Sequence, residues 1–544
     1  MGQQVSTEAA TKLRHSTPIG DFQGLIIRDP VTESPQCYRF TNVRYGTAPT
    51  NQARWKKPVA VPQDFSYSDH SYCDLGKPCY QPRILEPKLA PLYNLGESSE
   101  DCTYLNIWIP ANLDLKNPRM EKLPVFFYIH GGWLQYGSPN LNSSMDPRYL
   151  HELEELNHKY IVVSPAYRLN VFGFLSCEYL KKSGSGANFG LWDQRLALEW
   201  TYKNIQYFGG DPDRITVGGL SAGSYSTFFQ LAYEIYHPEE PQLIKQVVHF
   251  SNCILFQPKS VIETNAQFDE LCDALGVDAS LDAAEKLESL RTINPKSIAK
   301  VLPEMSLHTF RAVTDDDFVS ASLIKDIQSG LYAKKLAAKK MRIIIGEVSN
   351  EPVLYSYLNT PTDLEALSLQ LENYYPKSVV PTLLSLYLDP DNLPDSKDSL
   401  RELFGVIVAS SQVYTSSRGF LHYLTKQGIF PSSSIYRFKC SFSPESMKET
   451  LSKMGVKGPI HGGDQPLWFF AISAGIKDHE KNKIIEFIRP LSEFIHCKDI
   501  QELWGTSGTK FYRHLQEDGS TVIEEDLDWS QDVANAKRLL EAQT

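Results

Sequence analysis

Residues 212–228 read Pro-Asp-Arg-Ile-Thr-Val-Gly-Gly-Leu-Ser-Ala-Gly-Ser-Tyr-Ser-Thr-Phe. The β-branched residues 215–217 predict a strand, and the apolar residues after the serine favour a helix. Between them, Gly219-Leu220-Ser221-Ala222-Gly223 has the small residues that a sharp strand-to-helix turn requires, a pattern known as a nucleophile elbow. Such a turn would expose the Ser221 hydroxyl at the end of a sheet, where the backbone N–H of Ala222 can stabilise an oxyanion.

Charge and composition exclude several classes of protein. The 544 residues carry a formal net charge of −11 without a clustered basic excess, so we expect no nucleic-acid partner. No window approaches about 18 consecutive apolar residues, which predicts no transmembrane segment. With 42% hydrophobic residues, the composition is that of a globular protein. We expect a polar N-terminal leader over residues 1–19 and a single catalytic domain over residues 20–544, and the oligomeric state stays open.

The N-terminal region and the cysteines bear on localisation. The first twenty residues lack the apolar core of a secretory signal, and an odd number of cysteines, nine, excludes a fully paired disulfide framework. Both features favour a cytoplasmic protein. The start Met-Gly-Gln-Gln-Val-Ser fits the short N-myristoylation pattern with Gly2 as acceptor. A single acyl chain would bind a membrane only marginally.

Strand and helix patterns alternate along the chain. Short apolar runs predict buried strands, and residues 194–206 have helical spacing. This alternation predicts an α/β fold with a mostly parallel central sheet flanked by helices. In the C-terminal half, helical patterns predominate and predict helical insertions, and a proline-interrupted apolar loop over residues 80–99 is expected to form a flap. The predicted strands are residues 22–29, 38–45, 104–109, 125–129, 160–163, 342–346 and 434–438, and the C-terminal helices are residues 265–275, 284–292, 364–375 and 398–410.

Four more stretches extend the pattern around the elbow: Ser99-Glu-Asp-Cys-Thr-Tyr-Leu-Asn-Ile-Trp, Tyr167-Arg-Leu-Asn, Asn188-Phe-Gly-Leu-Trp-Asp-Gln-Arg-Leu-Ala-Leu-Glu-Trp and Phe208-Gly-Gly-Asp-Pro-Asp-Arg. Together they resemble the type-B carboxylesterase/lipase family, which includes the cholinesterases and fungal lipases. The resemblance covers about residues 20–515. It implies the α/β-hydrolase fold and a catalytic triad in the chain order serine, acid, histidine.

A serine that attacks an acyl group needs a base and an acid that orients the base. The family's strand-end motif places the acid on Glu351, although Pro352 stands here where most members have glycine. Glu347 is the competing carboxylate, because it lies at the end of the same predicted strand. For the base, Gly458-Pro-Ile-His-Gly-Gly-Asp-Gln-Pro resembles the family's histidine motif and points to His461.

The resemblance also implies an oxyanion hole formed by the backbone N–H groups of Gly132, Trp133 and Ala222. Trp133 replaces a glycine of the family. Because an indole is bulky and a tryptophan rarely adopts φ > 0, we expect a constricted pocket. Leu220 and Trp468 are expected to line this substrate pocket, and His130 is expected to brace the loop.

Departures from the family bear on the substrate. Cholinesterases carry a glutamate before the nucleophile and a tryptophan in the first disulfide loop, whereas Leu220 precedes Ser221 here and residues 80–101 contain no tryptophan. Without these groups a cationic ester is not expected, and a neutral, fairly apolar ester is favoured. The resemblance further implies a Cys79–Cys102 disulfide and the ion pairs Arg54–Glu100 and Arg168–Asp193.

The sequence therefore predicts a serine carboxylesterase that hydrolyses neutral, apolar esters through an acyl-enzyme, with no metal and no organic cofactor. An acyltransferase, or an ester- or lactone-processing tailoring enzyme of small-metabolite biosynthesis, is the alternative, because the same triad serves these reactions. A lipase would require the 80–99 loop to open at an oil interface. A non-catalytic cholinesterase-like binding protein is disfavoured by the retention of Ser221, Glu351 and His461.

Overall fold

The structure is a computed structural model that describes residues 9–84, 96–117, 122–140, 145–153, 155–156, 159–391, 393–453, 455–471 and 475–543. Within these ranges a single sheet contains twelve strands. The strands are β1 Ala9–Thr17, β2 Gly20–Arg28, β3 Pro35–Arg44, β4 Tyr104–Pro110, β5 Leu123–Ile129, β6 Ile161–Pro165, β7 Gly210–Leu220, β8 Gln246–Phe250, β9 Ile343–Val348, β10 Ile435–Cys440, β11 Phe511–Leu515 and β12 Thr521–Glu525.

The strand order in the sheet is β1-β2-β3-β4-β6-β5-β7-β8-β9-β10-β11-β12. From β6 to β11 in this order, all neighbouring strands are parallel, whereas the outer pairs at both edges are antiparallel. The predicted α/β architecture with a mostly parallel central sheet is confirmed. In such sheets, sites form outside the carboxyl ends of the parallel strands.

The α-helices of the described residues lie between and after these strands. They are α1 Arg148–Glu152, α2 Asn170–Phe174, α3 Glu178–Lys182, α4 Phe189–Asn204, α5 Ala222–Tyr236, α6 Asn265–Ala274, α7 Ala283–Thr292, α8 Pro295–Val301, α9 Leu323–Ser329, α10 Leu331–Ala338, α11 Glu351–Ser356, α12 Leu364–Tyr374, α13 Val380–Tyr387, α14 Lys397–Ala409, α15 Thr415–Thr425, α16 Glu445–Lys453, α17 Gln465–Trp468, α18 Asp478–Ile495, α19 Gln501–Trp504 and α20 Trp529–Glu541. Eleven of the twenty fall between β8 and β10 or after β12, as the helical patterns of the C-terminal half indicated. Each is too short or too polar to span a lipid bilayer.

The central strands are buried on both faces. Along β5, Val125 and Phe127 belong to one cluster of buried apolar side chains, whereas Phe126 and Tyr128 belong to a second cluster. Because successive side chains of a strand point to opposite faces, the two clusters lie on opposite sides of the sheet. This explains why the central strands are continuous apolar runs rather than alternating ones.

The N-terminal region differs from the expected polar leader. Residues 9–17 form the edge strand β1, which pairs with β2 from Ala9 opposite Arg28 to Thr17 opposite Gly20. An edge strand has one partner and a largely solvated surface, so it needs little apolar sequence. In β1 only His15 is buried, where its Nε2 lies 2.8 Å from the Tyr207 carbonyl oxygen. Gly2 and residues 85–95 of the expected flap lie outside the described residues.

Candidate active site

Ser221 occupies the turn between β7 and α5. Its φ of 57° and ψ of −121° are unfavourable for a residue with a side chain. The turn is fixed by the Ser221 N–H, which donates to the Phe250 carbonyl oxygen at 2.8 Å. It is also fixed by Gly223, where any Cβ would collide with the Ile129 carbonyl. The sequence thus folds into the expected elbow, with Ala222 as the first residue of the helix.

Glu351 and His461 are brought together by two chain segments that run side by side. Asn350 forms a parallel β-bridge with Ile460, and its N–H donates to the Pro459 carbonyl at 3.2 Å. The next residue of each segment is Glu351 or His461, and His461 Nδ1 is hydrogen-bonded to Glu351 Oε2. Because a carboxylate only accepts, Nδ1 carries the hydrogen and Nε2 is free to take a proton.

The Glu351 carboxylate is fully buried and held in place by its surroundings. Its Oε1 accepts a hydrogen bond from the Val348 N–H at 3.0 Å, and its Oε2 binds His461. Glu347, the alternative acid, instead forms a buried ion pair at 3.0 Å with Arg418, which also binds Asp526 at 2.8 Å. Glu351 is therefore the carboxylate that orients the imidazole.

Tyr355 lies between the serine and the histidine. Its hydroxyl is 3.4 Å from both ring nitrogens of His461 and lies close to the Ser221 side chain. Among hydrogen bonds between described residues, none joins Ser221 directly to His461. Contacts between catalytic groups often shorten only when substrate binds. Burial raises the pKa of Tyr355 well above 10, so the phenol remains a neutral donor.

Tyr355 is a site residue that the sequence reasoning missed. It follows Glu351 by four positions in α11, so both side chains lie on the same helix face. An aromatic residue one turn after the acid is the available sequence signal. That signal does not reveal that the hydroxyl would reach two other segments of the chain.

The loop after β5 packs against the elbow. A Cβ placed on Gly131 would lie 2.7 Å from the Leu220 carbonyl oxygen and 3.2 Å from Ser221 Cβ. Gly132, with φ of 112°, turns the chain, and its carbonyl accepts from the Gln135 N–H at 2.8 Å. The structure thus places this loop in contact with the nucleophile turn. Donation by the Gly132, Trp133 and Ala222 N–H groups to an oxyanion remains a prediction.

Trp133 adopts a backbone conformation that tryptophan rarely takes, with φ of 58°. Its indole is buried and packs edge-to-face against the Tyr355 ring, with ring centroids 6.0 Å apart. The backbone strain is therefore maintained by side-chain packing. The indole and the Tyr355 ring form an aromatic wall beside Ser221.

His130 stabilises the same loop. Its ring stacks on Tyr167 at a centroid distance of 4.4 Å, and its Nδ1 lies 2.9 Å from the Gly131 carbonyl oxygen. Burial lowers the pKa of His130 to about 4, so the ring is neutral near pH 7. This geometry fits a bracing role.

The two expected pocket residues differ in their surroundings. Leu220 lies beside the histidine segment, because a Cβ on Gly462 would be 2.9 Å from Leu220 Cδ2. Trp468 is only 2% exposed and lies within the core, with its ring centroid 4.8 Å from that of Phe487 and its Nε1 donating to Asp464 at 2.9 Å. Its place in the substrate pocket stays a prediction, because an aromatic residue of this pattern can pack behind a site or face it.

Other implied contacts are present around the site. Cys79 and Cys102 form a disulfide, and the other seven cysteines take part in none. Arg54 binds Glu100 at 2.6 Å, and Arg168 binds Asp193 at 2.7 Å. The Arg168–Asp193 pair joins the segment after β6 to helix α4, and the Arg54–Glu100 pair joins two segments outside the sheet.

One surface group has the residue types of a metal site, namely Glu445, His479 and Glu480 in the described part of the chain. These groups already have protein partners. Lys477 forms an ion pair with Glu445, and Glu480 accepts hydrogen bonds from the N–H groups of Glu445 and Lys477. The arrangement is that of a helix start stabilised by charges.

A model of the carboxylesterase family matches residues 11–535. The chain belongs to the carboxylesterase family. Over 515 residues it is 40% identical to an uncharacterized esterase/lipase of Schizosaccharomyces pombe, with 94% of this chain and 93% of the relative covered. It is 34% identical over 530 residues to a carboxylic ester hydrolase of Gibberella moniliformis, with 94% and 93% covered. As a carboxylesterase family member with these relatives, the chain is a carboxylic ester hydrolase.

A solved structure of low sequence identity has the same fold. The crystal structure of Aspergillus niger EstA superimposes with a TM-score of 0.73 at 21% identity, covering 98% of this chain and 99% of EstA. The α/β-hydrolase fold of the chain is thereby confirmed. Acetylcholinesterase of Danio rerio is 31% identical over 322 residues, which is 56% of this chain and 46% of that enzyme.

Proposed function

We propose that the protein is a serine carboxylesterase in which Ser221, His461 and Glu351 act as nucleophile, base and acid. The observation that carries this proposal is the hydrogen bond between His461 and the buried Glu351, beside a serine held in a strained elbow. The carboxylate fixes the tautomer in which Nε2 can accept a proton, and it stabilises the imidazolium that results.

In the proposed reaction His461 Nε2 takes the proton of Ser221 as Oγ attacks the ester carbonyl. The developing oxyanion accepts hydrogen bonds from the N–H groups of Gly132, Trp133 and Ala222, each worth about 3 kcal/mol of barrier. The imidazolium then protonates the leaving alcohol, and an acyl-enzyme remains. Water, deprotonated by the same histidine, attacks the acyl-enzyme, so one water is consumed and one acid and one alcohol are released.

We propose esters that are apolar around the scissile bond and carry no positive charge. Leu220 stands directly before the nucleophile and provides an apolar side chain instead of an anion. Trp133 packs edge-to-face on Tyr355, and we infer that this aromatic wall narrows the space for the acyl group. The apolar Leu220 supports an uncharged group near the carbonyl. The aromatic wall supports a small or slender group there.

A fluorophosphonate label followed by mass spectrometry tests the nucleophile. We expect label on Ser221, and we expect Ser221→Ala to lose both labelling and hydrolysis of a short p-nitrophenyl ester, with kcat lowered by as much as ~10⁶. Ser224→Ala is the matched control, because Ser224 lies in the same helix turn but its hydroxyl donates to the Asn252 carbonyl. Labelling of Ser221→Ala at full rate would refute the assignment.

A further inference from the structure

Arg311 is a cation held between two aromatic rings. Its guanidinium carbon lies 5.0 Å from the ring centroid of Tyr225 and 5.6 Å from that of Tyr374. The ion pairs of the described residues include none that contains Arg311. Because most half-buried arginines have a carboxylate partner, a positive charge is available here for an anionic ligand.

Two connections place Arg311 next to the catalytic groups. Tyr225 follows Ser221 by four residues at the start of α5, and its N–H donates to the Ser221 carbonyl at 3.0 Å. On the other side, Phe310 and Gln135 exchange two hydrogen bonds, and the Gln135 amide also donates to the Trp133 carbonyl at 3.0 Å. Arg311 is therefore connected to both the nucleophile helix and the oxyanion loop.

A second cation, Lys259, lies near Arg311. Burial lowers the pKa of Lys259, and the positive charge of Arg311 lowers it further. The neighbouring carboxylates have other partners: Glu372 lies 4.0 Å from Lys377, and Glu263 accepts from the Ser260 N–H at 2.7 Å. Glu372 and Glu263 nevertheless raise the pKa of Lys259 by their negative charges, so the cation of this region that has no carboxylate in an ion pair of the described residues is Arg311.

We propose that Arg311 binds a carboxylate at the far end of the acyl chain, so that the substrates are half-esters of dicarboxylic acids. The alcohol must leave beside His461, because this histidine protonates it. Arg311, in contrast, is connected to helix α5, which follows Ser221, and to the loop that contains Gly132 and Trp133. The charged group therefore belongs to the acyl part. Hydrolysis consumes one water, cleaves the acyl–oxygen bond and releases the alcohol and a dicarboxylate. This inference rests on the proposed serine esterase function and narrows its substrate to an ester with a remote negative charge.

Matched substrates test this proposal. Ethanol release is measured from monoethyl succinate, monoethyl glutarate and monoethyl adipate, and from ethyl 5-methylhexanoate, in which an isopropyl group replaces the carboxylate of the glutarate half-ester. We expect wild type to prefer at least one half-ester over the neutral ester in kcat/KM. Arg311→Gln should lower kcat/KM for that half-ester by about 10- to 100-fold, the range for losing a hydrogen bond to a charged group. Hydrolysis of the neutral ester should change less than about twofold, which also reports that the variant is folded.

Lys335→Gln is the matched control. Lys335 Nζ lies 5.2 Å from the ring centroid of Tyr236, which is at the opposite end of helix α5 from Tyr225. This variant should keep the wild-type preference. Equal hydrolysis of half-ester and neutral ester by wild type, or equal losses for both substrates in Arg311→Gln, would overturn the anion site while leaving the serine esterase intact. Failure of wild type to hydrolyse any of the esters, together with no fluorophosphonate labelling, would instead refute the underlying esterase mechanism.

Discussion

The Tyr355 hydroxyl lies 3.4 Å from Nδ1 and 3.4 Å from Nε2 of His461. It also lies close to the Ser221 side chain, so one neutral hydroxyl lies beside both the proposed nucleophile and the proposed base. A phenol that stays protonated can orient the serine hydroxyl and limit rotation of the imidazole. The motif residues alone thus do not account for the geometry of the site.

Tyr355→Phe should lower kcat by about tenfold with little change in KM, because it removes one hydrogen bond to a reacting group and keeps the ring that packs on Trp133. Steady-state kinetics with a short p-nitrophenyl ester measures the effect. Tyr375→Phe is the control, since Tyr375 is also buried and its hydroxyl contacts Ser411 instead. An unchanged kcat in Tyr355→Phe would show that the hydroxyl does not assist.

Two glutamates at the end of β9 should respond differently to the same substitution. Glu351→Gln should lower kcat by about 10⁴-fold, because an amide cannot fix the required tautomer or stabilise the imidazolium. Glu347→Gln should keep kcat per folded molecule but lower the free energy of unfolding by about 3 to 5 kcal/mol, because Arg418 loses a buried partner. Kinetics and urea unfolding of both variants separate the roles, and a reversed pattern would exchange the assignments.

Trp133→Gly should raise kcat/KM for esters with bulky acyl groups relative to acetate esters, because the wall beside Ser221 is removed. The free energy of unfolding should fall by about 3 kcal/mol, since loss of a buried indole outweighs relief of backbone strain. Trp55→Gly is the control: Trp55 has the same φ of 58° and is buried, but its Nε1 donates to the Val171 carbonyl. Trp55→Gly should lose stability without a change in substrate profile. If Trp133→Gly also left the substrate profile unchanged, the Trp133 indole would lie outside the substrate path.

Asp464 should make the protein less stable as the pH rises. Burial raises the pKa of Asp464 to about 6 from 3.8, so its contribution to stability is full below about pH 4 and is lost as the pH rises through 6. The loss is about 3 kcal/mol. Asp464→Asn should remove this part of the pH dependence between about pH 4 and 7 in urea unfolding. Asp114→Asn, at an exposed position where hydrogen bonding lowers the pKa, should leave it unchanged.

Elements with strong local patterns were predicted from the sequence. The β-branched run before Ser221 and the glycines around it specify β7, the turn and α5 by local sterics alone. The edge strand β1 was missed because it is stabilised by backbone pairing to β2 and needs no apolar alternation. The core packing of Trp468 on Phe487 was not predicted, because an apolar aromatic residue suits both a core and a pocket.

The sequence predicted residues of the site only where they lie within a motif of the family. Glu351 and His461 were assigned from family motifs, and the bridge between Asn350 and Ile460 then brings them together. The contact of Arg311 with Tyr225 and Tyr374 joins three distant segments, and no local period encodes such a meeting. Such long-range side-chain contacts can be identified only in the folded structure.

The Arg418 network sets a limit on shortening the chain. Arg418 binds Glu347 at the end of the strand that leads to Glu351, and its second partner, Asp526, also binds Arg437 of β10. A polypeptide truncated before Asp526 would lack the carboxylate that binds Arg418 and Arg437, so both guanidinium groups would be under-neutralised. Such a polypeptide would still contain all three proposed triad residues. Engineering of a minimal enzyme should therefore retain the chain through Asp526.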